Sequence, residues 1–203
     1  MAIIVEHEKR RKEILQKSLD VFVEEGYEDV TFQKIADRCG ITRTTLYIYF
    51  HNKYDIFIES IKELLGSMEL DIKKWLNKDI SQEEILRQVV EIIFTKIEQN
   101  KKLFVVLLSY FMQLKKTGVD IEERIQRRVL RLRHILSTII IHGIKEGTFQ
   151  HLIVKDMNDL LYGLIESAIF RLVILNQKDL SDLRKTINVA IDGFVVNKNP
   201  EKE

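Results

Sequence analysis

Apolar residues recur at helical spacing along almost the whole chain. Leu15, Leu19 and Phe22 fall at i, i+4 and i+7, flanked by Ile14, Ser18 and Val21, which predicts a first helix over about residues 8–25. Gly26 follows where a left-handed residue ends a helix. A short second helix is predicted over Phe32–Cys39, with Thr31 as N-cap and Val30 and Ile35 at the spacing of a hydrophobic staple. Gly40 stops it. Thr42 caps a third helix, Ile41 and Leu46 repeat the staple, and the helix ends near Phe50. Asn52 caps a fourth helix, with Asp55 near its positive end, running to about Trp75.

Longer helices follow. Ser81, with Glu84 three residues on, forms a capping box that opens a helix reaching about Gln99. Others are predicted over residues 102–116, ended by Gly118, and 121–146, ended by Gly147. The last two cover residues 155–176 and 181–197. The first of these is apolar nearly all round, through Leu160, Leu161, Leu164, Ile165, Ala168, Ile169, Leu172 and Val173, and is expected to be buried. The last carries Leu183, Ile187, Ala190, Ile191, Phe194 and Val195. The expectation is an all-α chain of about nine helices with a polar tail at 198–203.

Composition agrees. Of 203 residues, 45 % are hydrophobic and 31 % charged, with one Pro and eight Gly, the balance of a globular helical protein. A lone Cys39 forms no internal disulfide and reads as a small core residue. The opening Met-Ala-Ile-Ile-Val is too short for a signal sequence, and residues 160–175 fall short of the roughly 20 needed to span a bilayer. A cytoplasmic protein is expected. Net charge is only +1, so a nucleic-acid partner is not announced globally. Charge is nevertheless sorted along the chain. The first helix ends in Asp20, Glu24, Glu25, Glu28 and Asp29, whereas residues 31–54 hold Lys34, Arg38, Arg43 and Lys53 against Asp37. Lys9, Arg10, Arg11 and Lys12 add a basic arm.

Three short helices with a tight turn between the second and third describe a helix-turn-helix. Cys39-Gly40-Ile41 supplies the turn: a residue tolerant of positive φ, then an apolar residue pointing back to the core. Leu46 and Phe50 bury one face of the third helix, while Arg43, Thr44, Tyr47 and Tyr49 fall elsewhere; two tyrosines cannot both bury beside Leu46 and Phe50 on so short a helix. Arg43 is the first helical residue, from which a guanidinium meets guanine O6 and N7. Thr44 and Thr45 suit bases or phosphates; Tyr47, Tyr49 and Lys53 suit phosphate oxygens, which set register without reading sequence.

The ungapped block from Thr31 through Ile35-Ala36, Gly40-Ile41-Thr42 and Leu46-Tyr47-x-Tyr49-Phe50 to Lys53 resembles the signature of the TetR family of transcription regulators. The resemblance covers residues 8–60, about a quarter of the chain. It implies that Tyr47 and Lys53 clamp phosphates, that Thr42, Arg43, Thr44 and Tyr49 face the groove or its backbone, and that Thr31 touches phosphate. Two positions depart from it. Thr44 stands where the family often has Gly, Ala or Pro, and Ile48 occupies an often polar position, where no DNA contact is expected. The resemblance further implies a helix-turn-helix domain over residues 1–55, an effector-binding and dimerisation domain over 56–197, and a homodimer paired through its last two long helices, presenting two recognition helices to a pseudo-palindromic operator.

For the effector, Phe104, Leu107, Leu108, Tyr110 and Phe111 form a wide aromatic and aliphatic surface, and His134, Ser137, Tyr162, Glu166 and Phe170 are candidates from facing helices. Such a lining suits a small hydrophobic or amphipathic molecule. His134, His142 and His151 lack metal-ligand spacing, and no phosphate loop, nucleophile elbow or paired carboxylates occur, so no metal, cofactor or enzymatic activity is expected. The expected function is a DNA-binding regulator, a repressor released from its operator by that effector. The alternatives are an effector-independent nucleoid or division-type DNA binder of the same fold, and a helical enzyme or carrier with a vestigial motif.

Overall fold

The computed structural model describes residues 2–116 and 122–196. Among these the elements are α1 (Ala2–Glu25), α2 (Phe32–Cys39), α3 (Arg43–Tyr49), α4 (Lys53–Leu76), α5 (Gln82–Gln99), α6 (Lys101–Lys116), α7 (Glu122–Lys145), α8 (Val154–Val173) and α9 (Ser181–Asp192). The expected stop at Gly118 and the tail at 198–203 lie outside the described residues.

The helix limits follow local chemistry, with three instructive exceptions. α1 begins at Ala2, well before the expected residue 8. No Gly or Pro interrupts residues 2–25, and His7 in the added turns has a packing partner in Tyr49, while Val5 is exposed. α8 stops at Val173, and Asn176 takes a left-handed φ of 52°, which asparagine tolerates. α9 stops at Asp192, short of the expected 197. There the chain turns back: Phe194 is buried, Val195 bridges antiparallel to Phe149, and Gln150 N–H donates to the Phe194 carbonyl at 2.8 Å.

The chain forms two compact units. The first comprises Met1–Ser67 and Asn100–Val119, the second Met68–Gln99 and Asp120–Glu203. α4 contributes residues to both, so the expected boundary at 55/56 falls within a continuous helix, and α6 belongs with the N-terminal helices. In the first unit Ile14, Phe22, Ile35, Leu46, Phe50 and Phe57 meet in a core that Leu103 and Val106 of α6 complete.

The second unit buries Ile85, Leu86, Val89, Ile93 and Phe94 of α5 with Leu136, Ile139 and Ile140 of α7, Leu161 and Ile165 of α8, and Ile187 and Ile191 of α9. Gly143 lets the Phe149 ring lie against α7, since a Cβ there would lie 2.2 Å from Phe149 Cδ2. α8 is not buried all round. It buries Leu161, Ile165, Ala168 and Leu172 but leaves Leu160 and Phe170 exposed in the single chain, because α5, α7 and α9 cover one side of it.

Candidate nucleic-acid interface

The reading head is built by caps and one glycine. The Thr31 hydroxyl accepts from Lys34 N–H at 3.2 Å and opens α2. Gly40, at φ 68° and ψ 36°, closes it in the left-handed region, and Ile41 N–H returns to the Ala36 carbonyl at 3.1 Å. Thr42 opens α3, its hydroxyl accepting from Thr45 N–H at 3.0 Å and lying 2.8 Å from the Thr45 hydroxyl. Asn52 opens α4 by accepting from Asp55 N–H at 2.9 Å, and the Asp55 carboxylate accepts from His51 N–H. Ser81 caps α5 through Glu84 N–H, but the Glu84 carboxylate accepts from Gln88 rather than completing a capping box.

Leu46 and Phe50 are buried and anchor α3, leaving Arg43, Thr44, Tyr47 and Ile48 exposed on its outward face. Arg43 donates from Nη2 to the Tyr47 hydroxyl at 3.0 Å and lies over that ring. The Tyr47 ring rests against Phe32, centroids 4.7 Å apart. Tyr49 is half-buried, stacked on His7 of α1 at 4.5 Å. Arg11 lies over the Phe50 ring at 4.7 Å and donates to the Tyr49 carbonyl at 3.4 Å. The first turns of α1 therefore brace the end of α3, a contribution the sequence did not signal because His7 carries no periodic pattern.

Lys53 is placed differently from the other candidates. Its ammonium donates to the carbonyls of Tyr27 at 2.8 Å, Glu28 at 2.7 Å and Val30 at 3.1 Å. An ammonium has three donors, and all three are used in tying α4 to the α1–α2 connection. The sorted charge is also compensated locally. Lys34 pairs with Glu25 and Arg38 with Glu24, because α2 packs against the acidic end of α1. The Arg38 guanidinium beside Glu24 lowers that carboxyl below its usual range. Of the four cations in residues 31–54, Arg43 alone has neither a carboxylate nor a carbonyl partner among the contacts described. Cys39 is buried, and burial raises its thiol pKa, as for a core residue.

The ten effector candidates divide evenly between the units. In the first, Phe104, Leu107, Leu108, Tyr110 and Phe111 are half-buried on α6. Tyr110 packs against the rings of Tyr27 at 4.9 Å and Phe57 at 5.1 Å; burial pushes the Tyr27 phenol well above its ordinary pKa. In the second, His134, Glu166 and Phe170 are exposed, while Ser137 and Tyr162 are half-buried. The Arg133 guanidinium covers the Tyr162 ring at 4.3 Å. Asn158, absent from the sequence-based candidates, is buried between α7 and α8. Its Nδ2 donates to the Arg133 carbonyl and the Ser137 hydroxyl, each at 2.7 Å, and its Oδ1 has no hydrogen-bond partner. A single Asn in a long helix gives no periodic signal by which it could be found.

Comparison with known proteins decides the family. The model for bacterial regulatory proteins of the tetR family matches residues 14–59, and that for the C-terminal region of YsiA-like proteins matches residues 50–193, well over half the chain. The chain belongs to the TetR family. Like its relatives it is a DNA-binding transcription regulator. It is 26 % identical over 195 residues to the fatty acid metabolism regulator protein of Bacillus subtilis, covering 94 % of this chain and 99 % of the relative. A TetR regulator from Haloarcula marismortui matches with a TM-score of 0.76 at 26 % identity, over 93 % of this chain and 100 % of the other. The Bacillus subtilis regulator FadR, solved with stearoyl-CoA, matches with a TM-score of 0.71 at 26 % identity, over 90 % of this chain and 98 % of the other. The relatives of this TetR-family chain are regulators, not enzymes. No helix among its described residues is long and apolar enough to cross a membrane.

Proposed function

We propose that this protein is a dimeric repressor that reads a pseudo-palindromic operator through α3 and leaves it when a fatty acyl-coenzyme A binds. The observation that carries the DNA reading is the outward face of α3, where Arg43, Thr44 and Tyr47 are exposed and unneeded for packing. A guanidinium fork has five N–H donors and Tyr47 takes one, so Arg43 can still meet guanine O6 and N7. Thr44 offers a hydroxyl and a methyl. Thr31 keeps its hydroxyl hydrogen for a phosphate, Thr42 and Thr45 keep one between them beyond their mutual bond, Tyr47 and Tyr49 add phenols, and the amides at the start of α4 add a helix terminus. Lys53 is assigned to the scaffold instead, because its donors are spent on carbonyls.

Exposed Leu160 and Phe170 on α8 and Val189 on α9 support pairing of these helices with a second copy. A two-fold dimer then sets half-sites a helical turn, or a multiple of it, apart. The acyl-coenzyme A rests on similarity to the fatty acid metabolism regulator and to the stearoyl-CoA-bound FadR. Within the first unit, the α6 candidates Phe104, Leu107, Leu108, Tyr110 and Phe111 offer an apolar surface of the kind an acyl chain takes. Within the second, His134, Ser137, Tyr162 and Glu166, with the Asn158 acceptor, offer a partly polar one. Release requires the effector to prefer a dimer whose recognition helices do not match successive grooves. α4, contributing to both units, carries the coupling.

The test starts from selection of preferred duplexes out of a random DNA pool, followed by titration of the bound complex with stearoyl-CoA, coenzyme A and stearate. A two-fold-symmetric site released by stearoyl-CoA but not by coenzyme A is expected. No enrichment above random DNA at moderate salt overturns the DNA reading. Simultaneous, mutually indifferent binding of operator and acyl-CoA overturns the effector reading.

A further inference from the structure

Ile48 is 69 % exposed, more than any other large apolar side chain among the described residues. A single exposed aliphatic residue needs no explanation by itself; this one is set apart by its position. It lies on the seven-residue helix α3, one turn beyond exposed Thr44 and next to exposed Tyr47. It anchors nothing, since Leu46 and Phe50 hold α3 to the core. Nor are its neighbours free to displace it: the Tyr47 ring lies against Phe32 and Arg43, and Tyr49 lies under His7. The outward face of α3 thus presents one charged fork, Arg43, held on Tyr47, beside Thr44 and Ile48, which are both exposed and one turn apart.

Of the four bases, only thymine carries a methyl group into the major groove, where an aliphatic side chain distinguishes it by contact alone. The geometry points to Ile48 as a specificity-determining residue that reads a thymine 5-methyl in each half-site, with the Thr44 methyl beside it. This reverses the sequence-based expectation of no contact at position 48, and it rests on the proposed reading of α3 as the recognition helix. Arg43 reads by hydrogen bonds and Ile48 by methyl contact, so the two discriminate at different positions of the half-site.

The experiment replaces thymines of the selected operator one at a time by deoxyuridine, which removes only the methyl, and measures binding of the wild type, Ile48→Val and Ile48→Ala. Burying one methyl against an aliphatic side chain predicts about four-fold weaker wild-type binding at one thymine per half-site. Ile48→Val keeps that preference, whereas Ile48→Ala binds the thymine and deoxyuridine duplexes alike. An unchanged melting temperature verifies the fold of each variant, as expected for so exposed a side chain. If no thymine shows a preference that Ile48→Ala abolishes, while the wild type still binds its selected site, the assignment of Ile48 is overturned and the recognition-helix reading stands. A wild type that selects no duplex overturns both.

Discussion

Replacing Lys53 by methionine separates two roles that look identical in the sequence. Methionine keeps the aliphatic stem and removes the ammonium. In the structure that ammonium is the common donor to the carbonyls of Tyr27, Glu28 and Val30. Hydrogen bonds to a charged group contribute about 1.5–3 kcal/mol each when well shielded. One of the three is exposed and the others only partly buried, and water can replace some of what is lost. The three together are therefore worth roughly 2 kcal/mol, far below their simple sum. For a chain of this size that lowers the melting temperature by about 4–8 °C.

The assay pairs thermal unfolding with the salt dependence of operator binding. A phosphate clamp would contribute a slope of about 0.9 in log K against log salt. A scaffold tie leaves the slope unchanged while the melting temperature falls. An unchanged melting temperature with a slope smaller by about 0.9 per Lys53 refutes the tie and restores the phosphate role.

Three further outcomes are expected. Arg43→Ala costs about 1–3 kcal/mol on the selected operator, relaxes sequence preference and leaves the melting temperature unchanged, since its side chain is exposed; equal losses on selected and random DNA would assign it to phosphate instead. Gly143→Ala forces Phe149 aside and destabilises the protein by about 1–3 kcal/mol, read by urea unfolding. The Arg184 guanidinium, bonded to Glu98 at 2.7 and 2.8 Å, lowers the Glu98 pKa. That stabilisation is present above the unfolded carboxylate pKa of about 4.3 and is lost as pH falls through the lower folded value. Arg184→Gln therefore loses less stability than the wild type on acidification below about pH 4.3, measured by unfolding at stepped pH.

The helix-turn-helix was legible because its signals are local. Thr31, Thr42 and Asn52 act on N–H groups three residues away, and Gly40 acts on its own φ. A cap or a left-handed glycine works in any tertiary setting, so the order and limits of α2 and α3, and the family they imply, could be read along the chain. The partners of the charged and aromatic residues could not. Lys53 meets carbonyls more than twenty positions earlier, Arg38 meets Glu24, and Tyr49 meets His7 from across the unit. Sequence spacing shows that such groups exist and which face they share. Only the packing of α1 against α2 decides that the basic segment is largely neutralised, leaving Arg43 without an ionic partner among the contacts described and Ile48 uncovered. Likewise the end of α9 depends on Phe149, over forty residues away, because a buried ring and two backbone hydrogen bonds outweigh the modest propensity of a few more residues to stay helical.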